Sequence, residues 1–138
     1  MTAFLMATRP RPIVDPLTRF YWEAGSEGVL KILRCQDCGT WLHPPRPVCS
    51  HCLSEDVTPE AVAGTGTVYS LTVNHQAWMP GLDVPYVIAR VALDGVGGVL
   101  LTTNIVGDDA LDASIGDAVR VTFEEQEGIW FPLFTRDR

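Results

Sequence analysis

Four cysteines, arranged as two closely spaced pairs, constrain the fold of this 138-residue sequence more than any other feature. The pairs are Cys35 with Cys38 and Cys49 with Cys52, and ten residues separate one pair from the other. Two Cys-x2-Cys knuckles at this separation can bring four thiolates around one ion as a tetrahedron. The spacing therefore predicts a structural zinc site whose closed coordination sphere leaves no position for a substrate.

Two other uses of the same cysteines stay open on the sequence alone. An iron ion bound as in rubredoxin takes the same ligands. Two disulfides need an oxidising compartment, but the sequence contains no recognisable secretion signal and no apolar run long enough to cross a membrane. We therefore expect a cytoplasmic protein with reduced thiols. His43 and His51 could each replace a cysteine as a ligand, although four thiolates already fill the coordination sphere.

The residues before the first cysteine pair predict an arm and a short helix. Residues 1–14 contain an Arg-Pro-Arg-Pro run and are expected to form a flexible arm. Asp15 followed by Pro16 is typical of a helix start. Apolar side chains then recur at the spacing of one helix face: Leu17, Phe20, Tyr21 and Ala24. With a strand over Val29 to Arg34, residues 15–61 are predicted to form a helix and a zinc ribbon.

Residues 62–138 carry the pattern of a small β-barrel. Five segments alternate or are apolar throughout: Tyr69 to Val73, Tyr86 to Leu93, Val99 to Val106, Val119 to Glu124 and Ile129 to Phe134. One turn of helix is predicted within Gly107 to Ser114, and Pro132 predicts that the last strand lies towards an edge. Three strands, a short helix and two strands is the element order of an OB barrel, whereas an SH3-like barrel needs no such helix.

The predicted fold class is therefore mainly β. An N-terminal helix and a rubredoxin-like zinc ribbon come first, and a five-stranded OB-fold barrel follows.

The distribution of charge argues against a nucleic-acid partner. The net charge is −7, and residues 62–134 contain two arginines against nine acidic side chains. Nucleic-acid affinity depends largely on neutralisation of phosphates by Lys and Arg, so an acidic barrel repels DNA and RNA. Because zinc ribbons and OB folds both occur in nucleic-acid-binding proteins, this function is kept as the alternative.

An apolar loop between the first two barrel strands is a candidate contact surface. Trp78 and Met79 stand in the segment Gln-Ala-Trp-Met-Pro-Gly-Leu, where a free protein is expected to be polar. Trp and Met are enriched at protein interfaces, and this loop commonly contacts ligands in OB folds. The competing interpretation is that Trp78 folds back and plugs the mouth of the barrel.

No arrangement of residues typical of an independent enzyme is present. The sequence lacks a Gly-x-Ser-x-Gly motif, has no cysteine outside the two pairs, and shows no histidine–carboxylate pair at a recognisable catalytic spacing. We therefore expect a chain without catalytic residues.

An ordered series of motifs resembles a known family. The series begins with Leu-Arg-Cys-Gln-Asp-Cys-Gly at residue 33 and Pro-Pro-Arg-Pro-Val-Cys-Ser-His-Cys at residue 44. It continues with Gly-Thr-Gly-Thr-Val-Tyr-Ser-Leu-Thr at residue 64, Pro-Tyr-Val-Ile-Ala at residue 85 and Ile-Gly-Asp-Ala-Val at residue 115. Over about residues 15–134 the chain resembles the zinc-ribbon/OB-fold proteins of the family named domain of unknown function 35.

The resemblance implies a non-catalytic accessory subunit. Such a chain is paired with a thiolase-superfamily enzyme (a thiolase, a synthase or an aldolase) that acts on acyl-CoA thioesters, in a hetero-oligomer. The resemblance also places Cys35, Cys38, Cys49 and Cys52 on the zinc positions of the family.

Binding of CoA phosphates needs basic groups or helix N-termini, and basic groups are scarce in the acidic barrel. The basic candidates all lie in the N-terminal half: Arg9, Arg11, Arg19, Lys31, Arg34 and Arg46. We therefore expect acyl-CoA to be shared with the partner, with Arg46 as the candidate phosphate contact. The competing interpretation is that Arg46 is solvated or paired with a nearby acidic side chain.

Overall fold

The computed structural model describes residues 9–137, in which a ribbon region precedes a barrel. One α-helix, α1 (Arg19–Glu23), continues into a 3₁₀ helix (Ala24–Glu27), and a second 3₁₀ helix spans Ala110–Asp112. The described residues contain eight strands: β1 (Leu30–Cys35), β2 (Trp41–Leu42), β3 (Val57–Val62), β4 (Thr65–Asn74), β5 (Tyr86–Leu93), β6 (Leu100–Ile105), β7 (Ala118–Gln126) and β8 (Ile129–Arg136).

The α-helix begins three residues later than predicted, at Arg19, because its N-cap is Thr18 and Asp15 instead closes a turn before it. One carboxylate oxygen of Asp15 accepts hydrogen bonds from the backbone N–H groups of Leu17 and Thr18, at 3.0 and 2.9 Å. These bonds close a turn ahead of α1 and satisfy donors that a helix start leaves unpaired. The chain leaves the helical segment at Gly28, whose φ of 72° is a left-handed conformation that favours glycine.

The ribbon sheet has the order β2-β1-β3, with both pairings antiparallel. The sequence predicted β1 within one residue but did not predict β2 or β3. Strand β2 is only two residues long, and β3 contains Pro59 and shows no regular alternation of burial. Both strands form because they pair with β1. Local sequence patterns do not indicate this pairing.

The five predicted barrel strands are all present, and they close into a barrel of order β4-β5-β6-β8-β7. The strands pair antiparallel except where β6 meets β8, which run parallel and pair at Ile105 and Phe134. This closed order, with a short helical element between β6 and β7, is that of an OB fold. The predicted mainly β class is confirmed.

The prediction that Pro132 moves the last strand to an edge is wrong. Strand β8 lies between β6 and β7 in the closed barrel. The carbonyls of Pro132 and Phe134 accept hydrogen bonds from the Thr103 hydroxyl and the Val106 N–H on the β6 side. Because the N and O atoms of one strand residue face the same neighbour, the missing N–H of Pro132 falls where β6 and β8 barely pair.

Strand β8 is buried on both of its faces, which explains its nearly continuous apolar sequence. Phe134 lies in the main core, whereas Ile129, Phe131 and Leu133 form a second cluster. Trp22 of α1 packs on that cluster, with its ring 5.6 Å from the Phe131 ring in an edge-to-face arrangement. The helix therefore covers the outer side of the barrel, and Trp22 is half-buried rather than exposed.

The described part of the predicted arm, residues 9–14, lies against the barrel. The Arg9 guanidinium donates to Asn104 Oδ1 at 3.0 Å and pairs with Glu124, and the Arg9 carbonyl accepts a hydrogen bond from Gln126. Residues 1–8 of the arm lie outside the described residues. Within residues 9–137, no helix has the length and apolar character needed to cross a membrane.

Candidate metal centre and apolar cleft

The four cysteines meet at one end of the ribbon, with every pair of Sγ atoms within 4.8 Å. The Sγ atoms of Cys35 and Cys52 are 3.6 Å apart, as are those of Cys38 and Cys49, and none of the four is disulfide-bonded. A tetrahedral zinc with bonds of about 2.3 Å separates its sulfur ligands by about 3.8 Å. The arrangement therefore fits one tetrahedral ion, and the disulfide alternative is excluded.

The two knuckles repeat the same backbone hydrogen bonds. In the first, the Gly39 N–H donates to the Cys35 carbonyl at 3.0 Å. In the second, the Leu53 N–H donates to the Cys49 carbonyl at 2.9 Å. In each knuckle the N–H of the later cysteine approaches the sulfur of the earlier one at 3.5 Å. Such N–H groups aim positive dipoles at thiolates and orient them before a metal binds.

Thr40 tunes the most polar of the sulfur environments. Its Oγ1 lies 3.1 Å from the exposed Cys38 sulfur. Hydrogen bonds from the Thr40 side chain and backbone lower the pKa of the Cys38 thiol to about 6. Because a metal binds the thiolate form, this sulfur is ready to coordinate at neutral pH.

The two histidines near the ribbon are not ligands in this arrangement. His43 packs against Tyr21, with 5.2 Å between ring centroids, and burial lowers its pKa to about 4. His51 is exposed and contributes its backbone N–H, which donates to Cys49 Sγ at 3.3 Å. The metal-ligating group within the described residues contains only the four cysteines.

Most of the basic side chains are already paired. In the described part of the chain, six arginines form ion pairs with carboxylates: Arg9, Arg11, Arg19, Arg34, Arg120 and Arg136. Arg90 donates to a backbone carbonyl instead. Arg46 is exposed and, like Lys31, has no ion pair or hydrogen bond among residues 9–137. Of the candidate phosphate contacts in the described chain, these two side chains are therefore free to bind an anion.

A cleft of about 950 Å³ opens on the barrel, beside the loop between β4 and β5. Its apolar lining comes from that loop and from the segment after β6: Trp78, Met79, Leu82, Ile105, Val106 and Leu111. Asp83, Asp108 and Glu124 add negative charge to its walls, and Arg9 is held there by Glu124. The structure thus brings Trp78 and Met79 to one cleft, whereas Arg46 does not line it.

Trp78 remains on the surface, which contradicts the interpretation that it plugs the barrel. Its side chain is 73% exposed, and its Nε1–H donates to Asn74 Oδ1 at 3.3 Å. Asn74 also holds the loop, donating to the Gln76 carbonyl at 2.8 Å and accepting from the Gln76 N–H at 3.3 Å. One side chain at the end of β4 therefore fixes the loop and presents the indole.

Sequence reasoning missed three residues that shape these sites. Thr40 stands two positions after Cys38, where a hydroxyl is a recognisable second partner for a thiolate. Asn74 closes a predicted strand, and asparagine commonly organises the turn that follows by hydrogen-bonding its backbone. Leu53 follows Cys52 in the position that Gly39 takes in the first knuckle, so a comparison of the two pairs would have found it.

Two family models match the chain. The model described as the ChsH2 rubredoxin-like zinc ribbon domain matches residues 22–58. The model described as the ChsH2 C-terminal OB-fold domain matches residues 59–124. Together with the sulfur geometry, the zinc ribbon match identifies the expected ion as a single structural zinc, as predicted.

Two curated relatives carry different names. A protein of Thermomonospora curvata named probable enoyl-CoA hydratase alpha subunit is 45% identical over 101 residues, which are 73% of this chain and 31% of the relative. A Methanocaldococcus jannaschii protein named DUF35 domain-containing scaffold protein is 34% identical over 93 residues, 66% of this chain and 64% of that protein. The chain thus spans about a third of the first relative and just under two thirds of the second.

A solved structure matches nearly end to end. The structure titled Ltp2-ChsH2(DUF35) aldolase contains a chain that is 38% identical, with a TM-score of 0.81. The match covers 91% of this chain and 98% of that one. The chain therefore belongs to the DUF35 family of ChsH2-type proteins, in which a zinc ribbon precedes an OB-fold barrel.

Proposed function

We propose that this chain is a non-catalytic accessory subunit of a thiolase-superfamily enzyme that acts on acyl-CoA thioesters. Its own part is to hold the partner in a hetero-oligomer and to contribute contacts to the acyl-CoA. The observation that carries the proposal is the cleft beside the β4–β5 loop, where Trp78 is 73% exposed on an apolar surface. A free protein gains nothing from a fixed, exposed indole, but a partner surface can bury it.

The names of similar proteins support the class of complex. One relative is named as the alpha subunit of an enoyl-CoA hydratase, one as a scaffold protein, and the matching structure is an aldolase with a DUF35 chain. Subunit and scaffold names favour an accessory role. The acyl-CoA substrate class is carried over from the hydratase name, and the thiolase-type partner from the resemblance of the chain to its family.

The distribution of charge favours an apolar contact at the barrel and a phosphate contact at the ribbon. The cleft walls carry Asp83 and Asp108, which disfavour the phosphates of CoA and suit an apolar segment of the partner or of the acyl group. Arg46 is exposed, has no partner within the described part of the chain, and is flanked by prolines that restrict the backbone. We therefore assign the apolar contact to Trp78 and Met79, and the phosphate contact to Arg46.

The partner contact is tested by co-expressing the tagged chain with the thiolase-superfamily chain encoded nearest to its gene. We expect the two proteins to co-purify as a defined hetero-oligomer with one zinc per copy of this chain. Trp78→Ser should weaken the complex about ten-fold or more, because an interfacial tryptophan contributes about 2 kcal/mol. Zinc content should not change.

Tyr69→Ser is the matched control, since Tyr69 is another exposed aromatic residue of the barrel, 61% exposed, and does not line the cleft. This variant should bind the partner like the wild type. Equal weakening by both variants, or catalytic turnover of an acyl-CoA by the isolated chain, would contradict the proposal.

The phosphate contact is tested on the complex. Arg46→Ala should raise the KM for the acyl-CoA about ten-fold, as expected for loss of one hydrogen bond to a charged group, with little change in kcat. Lys31→Ala removes the other ribbon cation that has no ion pair or hydrogen bond among residues 9–137, and should leave KM unchanged. An unchanged KM for Arg46→Ala would mean that this arginine is only solvated.

A further inference from the structure

The second zinc knuckle contains a backbone feature that the first avoids. Leu53 has a φ of 67°, in the left-handed region that a leucine rarely adopts. Gly39, at the equivalent position of the first knuckle, has a φ of 80°. The hydrogen bonds around the two residues match, because each N–H donates to the carbonyl of the first cysteine of its knuckle. The same turn is thus built once with glycine and once with leucine.

Space does not explain the difference between these two positions. A Cβ at Gly39 would have a side-chain nitrogen of Arg34 as its nearest neighbour beyond the adjacent residues, at 3.7 Å, which is ordinary van der Waals contact. The Leu53 side chain in turn belongs to none of the apolar clusters of the described chain and is 74% exposed. Within this chain, Leu53 strains its backbone without burying its side chain.

The charges around Leu53 indicate what can cover it. Asp37 is adjacent, since its carboxylate accepts a hydrogen bond from the Ser54 hydroxyl. Glu55 and Asp56 follow in the chain, and both are exposed. None of these three acids forms an ion pair among residues 9–137. The ribbon tip is therefore one exposed leucine with three carboxylates around it.

We propose that Leu53 is an anchor that docks the ribbon tip into an apolar pocket of the partner enzyme, and that basic side chains of the partner border this pocket. The inference rests on the proposed function, because the occupant is the partner subunit. It adds a second contact surface that involves neither the barrel cleft nor Arg46. The left-handed backbone of Leu53 is the observation that carries this step, because strained residues persist where they serve a function, and a side chain in none of this chain's apolar clusters serves it outside the chain.

Three substitutions at Leu53 distinguish the effect of its side chain on partner binding from the effect of its strained backbone. Leu53→Gly removes both, Leu53→Ala removes the side chain but keeps a Cβ, and Leu53→Met keeps an apolar side chain of similar size. Each variant of the full chain is titrated against the thiolase-superfamily chain that co-purifies with the wild type. Zinc content and the thermal midpoint of the free variant are measured in parallel.

We expect Leu53→Gly to bind one zinc and to unfold at the same temperature as the wild type or higher, because relief of strain offsets the added freedom of the unfolded chain. Its Kd for the partner should rise about ten-fold or more, the value for burying one leucine side chain. Leu53→Ala should lose the same affinity, and Leu53→Met should retain most of it. The double variant Glu55→Gln/Asp56→Asn should bind more weakly and with a smaller dependence on salt.

Unchanged partner affinity in Leu53→Gly would overturn the inference while leaving the proposed function intact, because the wild-type complex tests the latter. A free wild-type chain that dimerises, with Leu53→Gly monomeric, would instead assign the surface to a second copy and overturn the partner assignment. Ile115→Ala is the control for loss of an exposed aliphatic side chain elsewhere, since Ile115 is 68% exposed on the barrel. An equal loss of affinity in that variant would show that the effect is not specific to the knuckle.

Discussion

The ribbon and the barrel stabilise their interiors by different means. The ribbon cluster contains four buried residues, of which two are the metal-ligand cysteines Cys35 and Cys49. The main cluster contains fourteen buried residues, with no metal ligand among them. A cluster of four cannot offset the entropy of ordering a ribbon of this length, so the ion must supply the difference. The barrel core holds no metal ligand, and apolar burial takes the place of the ion there.

Strand β1 nevertheless takes part in both interiors. Leu30 and Ile32 of β1 belong to the main core, whereas Leu33 and Cys35 of the same strand belong to the ribbon cluster. Tyr21 of α1 also lies in the main core, and burial raises its pKa above the ordinary value. A disturbance of the metal site should therefore reach the barrel through β1 and through Phe20, whose side chain packs on both clusters.

The largest expected effect is loss of the metal. Cys49→Ser, or removal of zinc with a chelator, should abolish amide-exchange protection in β1, β2 and β3, because structural zinc sites supply about 10 kcal/mol or more of binding free energy. Strands β4 to β8 should stay protected, at reduced stability, since they lose the cover of Leu30 and Ile32. If β1 to β3 kept their amide-exchange protection without metal, the ribbon would not depend on the ion, and the proposed difference between ribbon and barrel would be wrong.

The next effect belongs to the barrel. Phe134 is fully buried where β8 pairs with β6 and β7, and Phe134→Ala should lower the free energy of unfolding by about 3–5 kcal/mol. Denaturant unfolding in saturating zinc measures this loss. Leu111→Ala, at a residue 55% exposed, should change the stability by less than about 0.5 kcal/mol. Equal effects would mean that burial does not decide barrel stability.

A third substitution tests the contact between the helical segment and the barrel. A Cβ at Gly25 would lie 2.6 Å from Phe123 Cδ1 and from Trp130 Cβ, so Gly25→Ala must push the 3₁₀ helix away from β7 and β8. We expect a loss of about 1–3 kcal/mol by thermal unfolding. Gly97→Ala has no neighbour within 4 Å of the added Cβ and should be close to neutral. A tolerated alanine at Gly25 would show that the helix packs loosely.

The smallest effect is a pH dependence carried by His43. Its folded pKa of about 4 lies below the ordinary 6.5, so the unfolded chain binds more protons between these values and stability falls as the pH falls. From about pH 7 to about pH 5.5 the loss should be about 1 kcal/mol. His43→Gln should remove this part of the pH dependence. Zinc content is checked at each pH, because protons also compete for the thiolates.

Much of the barrel could be predicted because the pattern of apolar residues along each strand indicates which of its faces are buried. The segment from Tyr86 to Leu93 was predicted with the bounds that the structure has, since apolar residues on both faces mark a central strand. Strand β3 could not be predicted in this way, because its burial does not alternate and β1 is its only partner among the described strands. The prediction made from Pro132 was wrong for a similar reason. Proline locally favours an edge strand, but closure of the barrel placed β8 between β6 and β7.

For the candidate sites too, local features could be predicted from the sequence, and features that depend on distant residues could not. Cysteine spacing alone located the metal centre, because ligands two residues apart on a tight turn are held together by the local backbone. Of the ion pairs in the described chain, spacing indicates the one between Arg19 and Glu23, four residues apart in α1. No spacing could show that the other five paired arginines have carboxylate partners, or that Arg46 has none among residues 9–137, since those pairs join residues far apart in the chain. Nor could the sequence place Trp78 outside the barrel, because that outcome depends on the hydrogen bond with Asn74 and on the closure of the strands.

Residue type and short-range spacing were thus enough to predict the ligand set, the succession of the five barrel strands along the chain and the acidic character of the barrel. Tertiary structure alone decided that β1 joins two cores, that β8 is covered on both faces and that the Leu53 side chain is left exposed. The reason is physical: burial and ion pairing depend on distances between residues far apart in the chain, and those distances exist only after the barrel closes.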